Sequence, residues 1–154
     1  MKDKGLTLST AESCTGGLVS ESITSVAGAS AVFKGGVCSY SEEVKQKVLG
    51  VSEDTLREFT VYSPQVASQM SEGVMRLMGT DAAIGITGIA GPDGGTDEKP
   101  VGTVYVSVRF GEKELVKDLA LYKDYEELDR KKVRCLAAVR SLEMLLEIIL
   151  KEEG

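Results

Sequence analysis

The chain has 154 residues, 42 % apolar and 27 % charged, with a net charge of −6 and a sequence pI of about 4.8. That length suits one domain, residues 1–154, with a sizeable core. The acidic balance removes any general electrostatic pull toward nucleic acid or an anionic membrane, and leaves small anions to local amides and single cations.

Leu6–Thr10 alternates apolar and polar residues and predicts a short strand. From Gly16 to Val26, Leu18, Val19, Ile23 and Val26 recur at helical separations, and Ala27–Ser30 closes that helix. Ala31–Phe33 and Gly36–Tyr40 read as a second strand interrupted by a glycine pair. Ser41 caps a short helix whose first residues, Glu42 and Glu43, suit the positive end of its dipole; it carries Val44, Lys45, Val48 and Leu49. Ser52 opens another helix to about Phe59. Ser63-Pro64 begins a longer one to about Met78, with Val66, Met70, Val74, Leu77 and Met78 inward.

Ala82–Thr87 is almost wholly apolar, as in a central strand buried on both faces. It leads into a glycine-rich loop at 88–95. Thr103–Phe110 places Val104, Val106 and Val108 on one face and Tyr105 opposite, and Leu115–Tyr122 is its hairpin partner across Gly111–Lys113. A last helix runs from about Glu126 to Glu152, with Val133, Leu136, Ala137, Leu142, Leu145, Ile148 and Ile149 as its apolar face. The order predicts an α/β fold: one mixed, mostly parallel sheet with helices on both sides. Ligands in such sheets bind at the carboxyl ends of the strands, which residues 11–17, 38–45 and 87–95 reach.

No apolar run approaches the roughly 20 residues of a bilayer span. The charged N-terminus lacks the apolar stretch of a signal peptide. Cys14, Cys38 and Cys135 are odd in number and have no C-x-x-C pattern, which suits a reduced cytoplasmic interior. Inward packing is the expectation for Cys14, and more so for Cys38 and Cys135.

The stretch S-T-A-E-S-C-T-G-G, residues 9–17, sets Ser13, Cys14 and Thr15 side by side where the first strand turns into the first helix. With no histidine in the chain, a proton acceptor must be lysine, carboxylate, tyrosinate or thiolate. A lysine serves where burial or a nearby cation keeps it neutral, and serine–lysine pairs are an accepted form of nucleophile activation. Free amides of the first helical turn can hold an oxyanion or a phosphate, and Gly16 and Gly17 allow a close approach. The alternative is that Ser13 or Thr15 simply caps the helix. Cys14 at a helix start is a possible acidified thiol, which leaves a cysteine enzyme open as a further reading.

Lys45 lies one turn into its helix on the face of Ser41. It points either back to the strand edge or into solvent beside Glu42, and Lys47 is a rival that periodicity leaves open. The loop G-I-T-G-I-A-G-P-D-G-G is neither a Walker loop nor a dinucleotide fingerprint; it is a plain loop or a binding loop at the ligand edge. Arg130 and Arg134 can hold a phosphate or lie on a solvated helix face. No carboxylate cluster has metal-ligand spacing, so no metal site is expected.

Taken together, T-A-E-S-C-T-G-G, Y-S-E-E-V-K, I-T-G-I-A-G-P-D-G-G, E-K-P-V-G-T-V-Y and D-R-x-x-V-R resemble the CinA C-terminal domain family, whose stand-alone members are nicotinamide-nucleotide amidases. The resemblance covers nearly the whole chain in order. It implies a three-layer α/β/α fold and hydrolysis of nicotinamide mononucleotide to nicotinic acid mononucleotide and ammonia, without a cofactor. It also implies a serine nucleophile at Ser13, a lysine base at Lys45 and Tyr40 close by. Thr15, Gly16 and Gly17 would hold the oxyanion or the phosphate, ribose and pyridine would lie against Thr87, Gly88, Ala90 and Gly91, and Arg130 would meet the phosphate. A catalytically inactive nucleotide-binding or assembly module of the same family is the alternative.

Two departures stand out. The family has a further helix before the first strand, where only Met1–Gly5 stands here, so an exposed apolar patch and a homo-oligomer are expected. Leu128 replaces the glycine before D-R. The metal-dependent pyrophosphatase activity of the separate domain in longer CinA proteins is not implied for this chain.

Overall fold

In the computed structural model, which describes residues 1–151, β1 (Leu8–Glu12) is flanked by β2 (Phe33–Cys38) and β3 (Ala82–Gly88), both parallel to it. β4 (Val104–Phe110) and β5 (Lys113–Asp118) follow with antiparallel pairings, giving the order β2-β1-β3-β4-β5. Only β4 runs against the others, so the sheet is mixed.

Among the described residues six α-helices cover it: α1 (Leu18–Thr24), α2 (Glu42–Leu49), α3 (Glu53–Phe59), α4 (Pro64–Met78), α5 (Leu121–Asp124) and α6 (Arg130–Leu150). On one face Ala11 and Ala83 pack with Leu49, Leu56, Val66, Met70 and Val74 from α2, α3 and α4. On the other, Ile84, Ile86, Val104 and Val106 pack with Val19 of α1 and Val133, Ala137 and Leu145 of α6. Each fully buried Val, Ile or Met contributes about 1.5–3 kcal/mol relative to exposure. The result is a three-layer α/β/α protein.

β1 is buried throughout, so its alternation divides the two helical layers rather than core from solvent. Its polar residues are satisfied: Ser9 Oγ lies 2.7 Å from Thr80 Oγ1, and Thr10 Oγ1 lies 2.8 Å from Ser20 Oγ. The strand begins later than the Leu6–Thr10 pattern suggests, because Thr7 gives its amide to the Asp81 carboxylate at 2.8 Å. The glycine pair lies inside β2 instead of interrupting it. A Cβ on Gly36 would sit 2.3 Å from Thr10 Oγ1, so only glycine lets the two strands pair there.

The helix starts follow their caps. Ser41, Ser52 and Ser63 accept from Val44, Thr55 and Val66 amides. Leu77, expected inward, is 52 % exposed, because Met78 and not Leu77 turns onto Gly35 of the edge strand. β5 ends at Asp118, short of the expected Tyr122; Ala120 adopts φ 41°, and Leu121–Asp124 forms the one-turn α5. α6 begins at its cap Asp129, whose carboxylate accepts from the Lys132 amide at 2.6 Å, so Glu126–Leu128 is loop. The expected helix end at Glu152 lies outside the described residues. Cys14 is buried, whereas Cys38 and Cys135, expected inward, are exposed. Cys38 ends an edge strand on its outward parity, and Cys135 faces away from the α6 core stripe. Val139, Leu146 and Leu150 are also exposed along α6.

Candidate active site

Ser13 follows β1 by one residue and keeps the ladder going: its amide donates to Ile86 O at 3.0 Å. The strand parity that puts Ser9 and Ala11 on the α2–α4 face puts Ser13 there too. Lys45 reaches the same point from α2, sharing the buried side of that helix with Leu49. Its Nζ donates to Ser13 Oγ at 2.9 Å and to the Ser39 carbonyl at 2.6 Å. Lys45 is fully buried and, among the described residues, has no ion-pair partner. Burial lowers its pKa; Cys14, Glu42 and Cys38 oppose that shift. The rival Lys47 is in solvent, paired with Glu43.

A cavity of about 370 Å³ opens over the pair at the carboxyl edge of the sheet. Of the residues expected to form a site, Ser13, Lys45, Tyr40, Gly88, Ala90, Gly91 and Arg130 line it. Arg130 ties two walls together, donating from Nη1 to Gly91 O at 2.9 Å and from Nη2 to Tyr40 Oη at 2.8 Å. The Tyr40 hydroxyl is therefore engaged with the arginine rather than with Ser13 or Lys45. Gly91 has φ 80°, and a Cβ there would meet Val101 at 2.7 Å, which accounts for a glycine at this bend.

Thr15, Gly16, Gly17 and Thr87 do not line the cavity; most of their polar groups have protein partners, while the buried Thr15 Oγ1 has none among the described residues. The Gly16 amide donates to Ser13 O at 3.0 Å. The Gly17 amide donates to Glu12 Oε2 at 3.0 Å. Thr15 is buried, its carbonyl accepts from Arg134 Nη2 at 2.9 Å, and Thr87 Oγ1 donates to Val61 O at 2.8 Å. The expectation that Gly16 and Gly17 amides hold an oxyanion or phosphate is thus corrected. Neither Ser13 nor Thr15 caps α1, because Glu12 does so from beneath.

Glu12 is the support the sequence reading missed. Its carboxylate, 1 % exposed, accepts from the amides of Gly17, Val19 and Ser20 and from Ser20 Oγ, all within 3.0 Å. This anion occupies the N-terminus of α1, so a ligand phosphate finds no free dipole end there. Ser39 was also missed. What it offers Lys45 is a backbone carbonyl, which no side-chain pattern signals. Val61 and Tyr62 complete the cavity from the α3–α4 connection, again without a spacing signal.

Cys14 also borders the cavity, yet burial pushes its thiol up to about 12. Such a thiol is not a ready nucleophile. Among the described residues no three His, Cys, Asp or Glu side chains gather as metal ligands, and no described helix is long and apolar enough to cross a membrane.

The fold and cavity define a three-layer α/β protein with a buried serine–lysine pair at the carboxyl edge of its sheet. The CinA C-terminal domain family matches residues 1–149, and the chain belongs to that family. It is 47 % identical over 150 residues to a CinA-like protein of Kosmotoga olearia, covering 97 % of this chain and 35 % of that protein, so the chain spans about a third of that relative's length. Among solved structures it is similar to the competence/damage inducible protein CihA from Agrobacterium tumefaciens, with a TM-score of 0.90, 38 % identity, and coverage of 95 % of this chain and 87 % of that one. The competence damage-inducible protein A of Klebsiella pneumoniae matches with a TM-score of 0.89, 34 % identity, and coverage of 97 % and 89 %.

Proposed function

We propose that this chain is a nicotinamide mononucleotide deamidase that uses Ser13 as nucleophile and Lys45 as base. The observation that carries the reading is the 2.9 Å contact between Ser13 Oγ and a fully buried Lys45 Nζ. An amine in that position favours its neutral form, because burial penalises the charge. Neutral Lys45 then keeps one N–H on the Ser39 carbonyl and turns its lone pair to the Ser13 hydroxyl.

In the first half-reaction Ser13 Oγ bonds to the carboxamide carbon while its proton passes to Lys45 Nζ. Lys45 returns that proton to the nitrogen as the C–N bond breaks, and ammonia leaves an ester on Ser13. Water then attacks the ester carbon and gives a proton to Lys45, which passes it to Ser13 Oγ as the C–O bond breaks. The products are nicotinic acid mononucleotide and ammonia. Arg130, held at the cavity wall by Gly91 and Tyr40, is the group suited to the phosphate.

The reading places the chain in the cytoplasm, where pyridine nucleotides are recycled. Self-association belongs to the same proposal and is supported by the exposed Val139, Leu146 and Leu150 of α6.

The test is ammonia release from nicotinamide mononucleotide, with and without EDTA, by the parent and by Ser13→Ala. Release that EDTA leaves intact and Ser13→Ala abolishes supports a metal-independent serine amidase. Binding without release supports the nucleotide-binding module instead.

A further inference from the structure

The cavity holds more than a serine–lysine pair needs: two carboxylates (Glu42 and Asp93), two tyrosine rings (Tyr40 and Tyr62) and the Arg130 guanidinium. Glu42 is the least expected of these. It is the first residue of α2, three before Lys45, and its charge raises the Lys45 pKa against the burial that lowers it. A base must be neutral to act, so a carboxylate there works against Lys45. The helix dipole favours an acid in this turn, but Glu43 already supplies one, in a solvent-exposed ion pair with Lys47. Glu42 is solvent-exposed too, but unlike Glu43 it lines the cavity beside two aromatic rings, where a positive charge on the ligand would give it a partner.

We propose that Glu42 is a specificity-determining residue that selects ligands carrying a positive charge on the ring that bears the scissile amide; this rests on the deamidase reading of the same cavity. In an oxidised nicotinamide the quaternary nitrogen is two bonds from the carbon bearing the carboxamide. Ser13, Glu42 and Arg130 line the same cavity, so the scissile amide, the ring charge and the phosphate each have a wall group to meet. The dihydro form of the nucleotide keeps the amide, ribose and phosphate but has an uncharged ring. Reduction also removes the ring's aromaticity, so the charge is read from how Glu42→Gln changes the preference and not from the preference alone.

The experiment measures equilibrium binding of nicotinamide mononucleotide and its dihydro form to Ser13→Ala, which lacks the proposed nucleophile. The same is done with Glu42→Gln added and, as a control, with Glu43→Gln added. The expected preference for the cationic ring is about tenfold in Ser13→Ala, falling to about twofold or less with Glu42→Gln and persisting with Glu43→Gln. An unchanged preference with Glu42→Gln, or equal weakening of both ligands, overturns the role of Glu42; parent ammonia release measured alongside leaves the deamidase reading intact. A parent that releases no ammonia, with a Ser13→Ala that binds neither nucleotide, overturns the deamidase reading and the Glu42 inference together.

Discussion

Lys45 Nζ lies 2.9 Å from Ser13 Oγ although 32 positions separate the residues. One is carried by the end of a central strand and the other by the second turn of a helix across the sheet edge. The contact joins a hydroxyl to an amine whose pKa burial lowers.

Removing the hydroxyl removes the proposed nucleophile and little else. Ser13→Ala is expected to lower ammonia release by about 10³-fold or more, equivalent to about 4 kcal/mol of barrier. Its backbone bond to Ile86 is untouched, so thermal unfolding should stay close to that of the parent. An active Ser13→Ala sinks the serine mechanism.

With Lys45 as the proposed base and its pKa lowered from an ordinary lysine's 10.5, kcat/KM should rise with pH through that lowered value and level off below 10.5. Lys45→Arg, which stays charged, should be inactive across the profile. A rate still climbing at pH 10.5 points to an ordinary lysine and removes Lys45 from the role.

The same burial has a stability signature. Unfolded Lys45 binds its proton up to about 10.5 while the folded amine releases it earlier, so the unfolded state holds more protons in the window between. The parent should therefore gain stability as pH rises through that window. Lys45→Met should be more stable than the parent by about 1 kcal/mol at neutral pH, with a margin that shrinks toward pH 10.5. Urea melts at several pH values measure both slopes; parallel curves contradict the assignment.

Glu12 holds three amides and one hydroxyl at the start of α1. Glu12→Gln would turn an amide group into that cluster of donors and is expected to cost about 2–3 kcal/mol. Chemical denaturation gives the number. A cost near zero means the α1 cap is not what holds the Ser13 turn.

Cys14 should be inert. With its thiol near 12, alkylation at pH 8 is expected to modify the exposed Cys38 and Cys135 and spare Cys14 in the folded protein. Cys14→Ala should keep the rate within a few-fold, because its side chain only packs beside the cavity. Peptide mapping and the ammonia assay decide it, and loss of activity in Cys14→Ala revives the thiol mechanism.

Local features were legible because their causes are local. Ser41, Ser52 and Ser63-Pro64 cap the helices that begin beside them, whereas the last helix starts at the unforeseen cap Asp129 and not at Glu126. The apolar run at Ala82–Thr87 is a strand buried on both faces. Errors fell where a non-local partner decided the outcome. Tyr122 left the hairpin because Leu121 gives its amide to Gly102, and of the expected inward pair Met78 meets Gly35 while Leu77 stays exposed.

The sequence alone determined the caps, the strand and helix periods, the absence of histidine, and the family motifs that singled out Ser13 and Lys45. Spacing left Lys45 open between solvent and strand edge, because a helical position shows which face a residue shares and not what covers that face. Tertiary packing decided that α2 would bury Lys45 against Ser39 and Ser13, which depresses its pKa through desolvation. It also turned the Gly16 and Gly17 amides inward to Ser13 O and Glu12, away from any ligand. Desolvation and hydrogen-bond satisfaction come from residues distant in the chain, so both had to be read from the folded protein.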